Sequence, residues 1–130
     1  MPIHHHLLGK VPVETDRIRN YLADEALGAR QCSAHENVLK PGARVPSHMH
    51  GVEEVIVCLE GEGECTFHDQ PSARYQAGSV VIIPPDTPHV LRNVGKVNLR
   101  QICFFAGNPT HTRWVGSEGS VQDLGGNAGA

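Results

Sequence analysis

Residues 42–61 read Gly42-Ala-Arg-Val-Pro-Ser-His48-Met-His50-Gly-Val-Glu-Glu54-Val-Ile-Val-Cys-Leu-Glu-Gly61. Side chains two apart in an extended chain point to the same face. His48, His50 and Glu54 therefore lie on one side of a strand. Two imidazoles and a carboxylate converging from one stretch form an open ligand set for a first-row divalent metal, with positions left for water or substrate. Taken alone, a His-x-His beside a proline is more often a pair of surface histidines, so the reading needs support from elsewhere in the chain.

That support lies in residues 78–93, Gly78-Ser-Val-Val-Ile-Ile-Pro84-Pro-Asp86-Thr-Pro88-His89-Val-Leu-Arg-Asn93. An apolar strand runs into a proline-rich turn, which cannot continue a sheet ladder, and a further strand opens on His89. A stiff turn directly before His89 fixes where its imidazole points and makes it the natural fourth ligand. With these residues in place the chain resembles the cupins. Gly42, His48, His50, Glu54 and Gly61 fall on their first motif, G(x)5HxH(x)3-4E(x)6G, and Gly78, Pro84, His89 and Asn93 on their second, G(x)5PxG(x)2H(x)3N. Asp86 departs from the pattern by standing where the second motif has glycine. That turn position calls for φ > 0, which Asp is among the few residues to tolerate.

A chain of 130 residues makes about one domain with one core, large enough to fold without disulfide staples. The formal charge is −3 and the Lys and Arg residues are scattered, so no electrostatic footprint for nucleic acid is present. No apolar run approaches the ~18–20 residues of a membrane span, and the N-terminus lacks the apolar region of a secretory signal. A cytoplasmic protein is expected. Cys32, Cys58, Cys65 and Cys103 are spread singly, without the Cys-x-x-Cys spacing of a zinc clip. They read as buried thiols, with Cys58 and Cys103 the two best placed to face a pocket.

Residues 1–28 read as an N-terminal arm. His4, His5 and His6, native or part of a tag, sit on a terminus too mobile to hold one ligand geometry. Ile18, Tyr21, Leu22 and Leu27 recur at near-helical spacing, with Thr15 as N-cap and Gly28 as C-cap, which predicts a short helix; a pair of short strands fits the same residues. Residues 29–107 read as the barrel, a series of short strands separated by Gly and Pro turns. Over residues 52–60, Val52, Ile56 and Cys58 share the face of the metal motif, while Val55, Val57 and Leu59 occupy the opposite face and need a cover. His35 and His68 are further histidines with no second ligand at metal spacing. Residues 108–130 read as a C-terminal extension, mobile over 117–130, with Trp114 a lid or an edge of the core rather than a substrate platform.

Strands and turns without long helical periodicity argue an all-β antiparallel sandwich or barrel, and the cupin resemblance implies a small jelly-roll barrel. In such a barrel His48, His50, Glu54 and His89 hold one divalent transition metal. Three imidazoles and one carboxylate leave about two open positions on a six-coordinate ion, which suits Fe, Mn or Ni, while Zn or Cu also accept such donors. The resemblance further implies a small-molecule substrate, a homodimer, and one of three roles: a dioxygenase-type oxidoreductase, a non-redox isomerase, lyase or decarboxylase, or a non-catalytic binder.

Overall fold

The computed structural model describes residues 1–68, 70–107, 112–115 and 121–123. Its strands in chain order are β1 (Arg17–Ala23), β2 (Ser33–Leu39), β3 (Arg44–His50), β4 (Glu54–Glu60), β5 (Glu62–Phe67), β6 (Ala73–Gln76), β7 (Val80–Ile83), β8 (His89–Asn93), β9 (Leu99–Phe105), β10 (Thr112–Val115) and β11 (Val121–Asp123). They form a five-stranded sheet in the order β1-β2-β9-β4-β7 and a six-stranded sheet in the order β11-β10-β3-β8-β5-β6. All pairings are antiparallel. The chain is all-β, a jelly roll, and no helix occurs among the described residues.

Alternation sets the core. In β4, Glu54, Ile56 and Cys58 are buried while Val57 and Leu59 are exposed, so one face of the strand looks inward as the sequence predicts. Among the described residues nothing fully covers the opposite face: Val57, Leu59, Val80, Ile82 and Phe104 all remain substantially exposed. Inside, Leu39, Val45, Ile56, Ile83, Leu91, Leu99 and Phe105 join the two sheets. A polar chain crosses this core, with Tyr75 Oη donating to Gln101 Oε1 at 2.8 Å and Gln101 Nε2 to Asn37 Oδ1 at 3.0 Å.

The N-terminal helix is not formed. Residues 17–23 are a strand in register with β2, Arg17 opposite Leu39 through Tyr21 opposite His35. The residues whose spacing suggested a helix also suit a strand, in which Ile18 and Asn20 share a face and the register slips at Leu22, and the open edge of β2 decides between them. Asn20 is the buried member, and its Nδ2 donates to Glu36 Oε1 at 3.0 Å and to Leu7 O at 2.6 Å. Thr15 bonds Arg17 O instead of capping, and Gly28, at φ +100°, closes a turn over residues 24–29 rather than a helix. The sheet thus begins at β1, twelve residues or so before the boundary read from sequence. It also extends past residue 107 through β10, which pairs with β3. Most of the stretch expected to be mobile, residues 117–130, lies outside the described residues, save for β11.

Candidate metal centre

His48 and His50 sit at the end of β3, Glu54 opens β4 and His89 opens β8. Register within one sheet sets His48 opposite His89, whereas Glu54 stands in the facing sheet between Phe105 and Ile83. The first motif therefore supplies its three side chains from two strands in different sheets, because the strand breaks at residues 51–53, and not from one side of a single strand as the spacing suggests. The proline turn is tied down where it matters, Asp86 N donating to His50 O at 2.7 Å. Asp86 adopts φ +55°, the left-handed conformation its position requires. Asn93 closes its own turn by accepting from Gly95 N at 2.9 Å, while its amide donates to Leu39 O and Val97 O.

The four side chains are buried, at 0%, 3%, 1% and 1% exposure for His48, His50, Glu54 and His89. One donor atom from each falls within 4.8 Å of every other. Glu54 Oε1 lies 3.3 Å from His89 Nε2 and 3.7 Å from His50 Nε2. Nδ1 of His48 bonds Pro46 O at 2.7 Å and Nδ1 of His89 bonds Thr87 O at 2.9 Å. A carbonyl only accepts, so each Nδ1 carries the proton and each Nε2 presents a lone pair. Those two Nε2 atoms and both Glu54 oxygens are buried without a hydrogen-bond partner. Lone pairs facing carboxylate oxygens repel unless a cation lies between them, so the donor set fits a divalent transition metal.

Charge states agree with that fit. Burial, then the neighbouring His89 and His50, push the pKa of His48 down to about 3, which leaves a neutral imidazole ready to ligate. Burial alone would raise Glu54, but the positive charge that a proton on the surrounding imidazoles, His89 foremost, would bring outweighs it and holds the carboxyl below its ordinary value, so the site favours a carboxylate with a cation beside it. The thiols behave differently. Burial and the charge of Glu54 push Cys103 well up and Cys65 up to about 12, so both line the interior near Glu54 as protonated thiols. Cys58, also raised by burial, points to the carbonyls of Glu60 and Gly61 at the far end of β4. Among the described residues no thiol joins the donor group.

His35 is buried and stacks on Phe105 at 5.6 Å, and Phe105 meets His50 edge-on at 4.7 Å. It is a neighbour once removed, screened by an aromatic ring. His68 and the three N-terminal histidines are exposed, and His111 lies outside the described residues. Two residues not singled out as site residues from sequence do reach the cluster. The indole of Trp114 lies 5.2 Å from His48, so the core edge expected of it is also a wall of the site, and Thr112 Oγ1 lies 3.3 Å from His50 Nδ1. The two are a residue apart and share a face, but a four-residue strand offers too short an alternation to be recognised.

The sequence profile of the cupin domain matches residues 36–105, more than half of the chain. The chain belongs to the cupin family. This cupin is 29% identical over 105 residues to an uncharacterized protein of Methanocaldococcus jannaschii, covering 72% of the chain and 83% of the relative. Among solved structures it resembles the polyketide cyclase of Streptomyces resistomycificus, at TM-score 0.71, 22% identity and coverage of 85% of this chain and 84% of that one. It also resembles an oxalate oxidase, at TM-score 0.70 and 23% identity, with 80% of this cupin matched to 59% of that chain. At those identities the likeness is one of fold. Among the described residues no helix is long and apolar enough to cross a membrane.

Proposed function

We propose that this cupin is a metal-dependent oxidoreductase of the dioxygenase type, acting with O2 on a small chelating organic substrate. The observation that carries the reading is the buried group of three imidazoles and one carboxylate, all donor atoms within 4.8 Å. Such a set leaves about two positions on a six-coordinate ion, enough for a bidentate substrate or for a substrate and O2. His48, His50, Glu54 and His89 would hold the ion, with Fe, Mn or Ni favoured over Zn or Cu. A redox-capable ion there supplies Lewis acidity and one-electron chemistry. The chain supplies the rest. Neutral His48 presents its lone pair without losing a proton, the carbonyls of Pro46 and Thr87 fix two imidazole orientations, and Phe105 and Trp114 keep water from the ring faces. An oxalate oxidase with this fold supports the pairing of a cupin barrel with a small chelating acid.

A second reading keeps the ion and drops the redox step, giving an isomerase, lyase, decarboxylase or cyclase. It needs a base besides Glu54, and His35, buried behind Phe105, is the histidine placed nearest to that role among the described residues. The polyketide cyclase of similar fold supports it. A non-catalytic binder would use the same residues without turnover.

Metal analysis of untagged protein prepared without chelator, followed by oxygen-electrode screening of the iron form with diketones, catechols, small dicarboxylic acids and thiols, tests the proposal. Oxygen uptake with one class of chelating substrate is expected. No uptake across that panel overturns the oxidoreductase reading; substrate consumption without oxygen uptake would establish the second.

A further inference from the structure

Each imidazole of the cluster is held from behind through Nδ1, but the holders are not equivalent. His48 and His89 bond carbonyls two residues back along the chain, that of Pro46 within β3 and that of Thr87 in the turn before β8. His50 meets a hydroxyl 62 residues away: Thr112 Oγ1, buried, at 3.3 Å from Nδ1. Thr112 stands on β10, beyond the region that matches the cupin domain profile. Three further contacts dock that strand on the metal-bearing segments. Thr112 pairs opposite His50 and Trp114 opposite His48 in the ladder with β3. The Trp114 indole packs on the His48 ring, with the Arg17 guanidinium 5.6 Å from its centroid. Arg113 pairs with Asp86, the residue that replaces the motif glycine three positions before His89. The departure from the family pattern and the extra strand are therefore joined in one contact.

We propose that Thr112 is a positioning residue for His50, and that β10 is a working part of the metal centre. The reading rests on the metal proposal above. A carbonyl can only accept from Nδ1–H, whereas a hydroxyl can accept from Nδ1–H or donate to a bare Nδ1. In the first arrangement His50 Nε2 offers its lone pair to an ion; in the second Nε2 carries the proton and faces Glu54. Binding an ion selects the first, with the Thr112 hydroxyl turned to accept, and raises the basicity of the ligating nitrogen. Loss of such an outer partner commonly costs about 10–100-fold in metal affinity.

The test compares Thr112→Val, which keeps the shape and removes the hydroxyl, with Thr112→Ser, which keeps the hydroxyl. Co(II) and Zn(II) affinities are measured by competition with a chromophoric chelator, and the His50 tautomer is read with and without Zn(II) from long-range 1H–15N spectra. The expected result is a fall of about 10–100-fold in affinity for Thr112→Val, recovery to within about threefold for Thr112→Ser, and a change in the His50 ring nitrogens but not those of His48 or His89. Near-equal melting temperatures of the two metal-free variants would place the loss at the site rather than in the fold. Parent-like affinity in Thr112→Val overturns the proposal, as does equal loss in both variants. A parent protein that binds neither metal overturns the metal reading as well, so the two failures are distinguishable.

Discussion

Replacing His89 by alanine removes one of four donors and leaves Glu54, His48 and His50 facing each other without it. Two effects then oppose. Metal binding suffers, because a three-donor set on an ion loses both a bond and the fixed geometry of the proline turn. The metal-free protein suffers less, since removing an imidazole whose Nε2 faces a carboxylate without a bond also removes a repulsion. His89→Ala should therefore lose affinity beyond the roughly 10–100-fold that an outer partner is worth, while its metal-free melting temperature moves far less. Adding metal should raise the melting temperature of the parent, because a ligand bound only by the folded state stabilises it by mass action, and should leave His89→Ala nearly unmoved. An equal metal-induced rise in both proteins would remove His89 from the donor set.

Strands differ in how openly they announce themselves, and the differences have physical causes. β8 is read to the residue because a proline turn bounds one end and Asn93 closes a turn at the other. The clustering of His48, His50, Glu54 and His89 was legible for the same reason: its spacing is local, two residues apart in β3 and four residues to β4, with only His89 arriving from afar. β1 was not, because its seven residues carry a spacing common to helix and strand, and the deciding partner is Glu36 on β2. That carboxylate is 1% exposed and ties the arm to the sheet, accepting from Gly9 N at 2.9 Å, Asn20 Nδ2 at 3.0 Å and Arg100 Nη1 at 2.5 Å. Burial would raise its pKa, but the bonds from Asn20, Gly9 and Arg100 hold it below the ordinary value. A carboxyl whose pKa is depressed on folding binds fewer protons folded than unfolded. Its contribution is present above the unfolded value of about 4.3 and is lost as pH falls through the folded value. Glu36→Gln should thus destabilise by about 1–3 kcal/mol at neutral pH, and the gap from the parent should narrow as pH drops below about 4. Urea midpoints taken across that range, with hydrogen exchange at the Gly9 amide reporting the arm itself, check this. A gap that stays constant with pH would mean that the charge of Glu36 contributes nothing.

On the scale of the whole molecule, the five-stranded sheet has one apolar face that the described residues cover only in part. The N-terminal arm meets β2 at Glu36, which accepts from Gly9 N, while Val57 on β4 and Val80 and Ile82 on β7 stay exposed. There the register sets Val57 beside Val80 and Val55 beside both Ile82 and Phe104, so the exposed side chains form one continuous patch. Val80 and Ile82 are more than half exposed and stand on β7, an edge strand that pairs, among the described residues, only with β4. An apolar patch running to an open edge suits a second copy of the same chain, since a two-fold contact lays each patch on its equal and shields both edges. We therefore expect a homodimer, in which burying such side chains contributes about 25 cal/mol per Å² of apolar surface. Ile82→Lys places a charge at the patch centre while leaving the inward face of β7 intact, because Ile82 points away from buried Ile83. Sedimentation velocity at micromolar concentration should show a dimer for the parent and a shift to monomer for Ile82→Lys, with metal affinity unchanged since the donor group lies on the inner face. A monomeric parent would leave the outer face needing a different occupant, and a dimeric Ile82→Lys would move the interface elsewhere on the barrel.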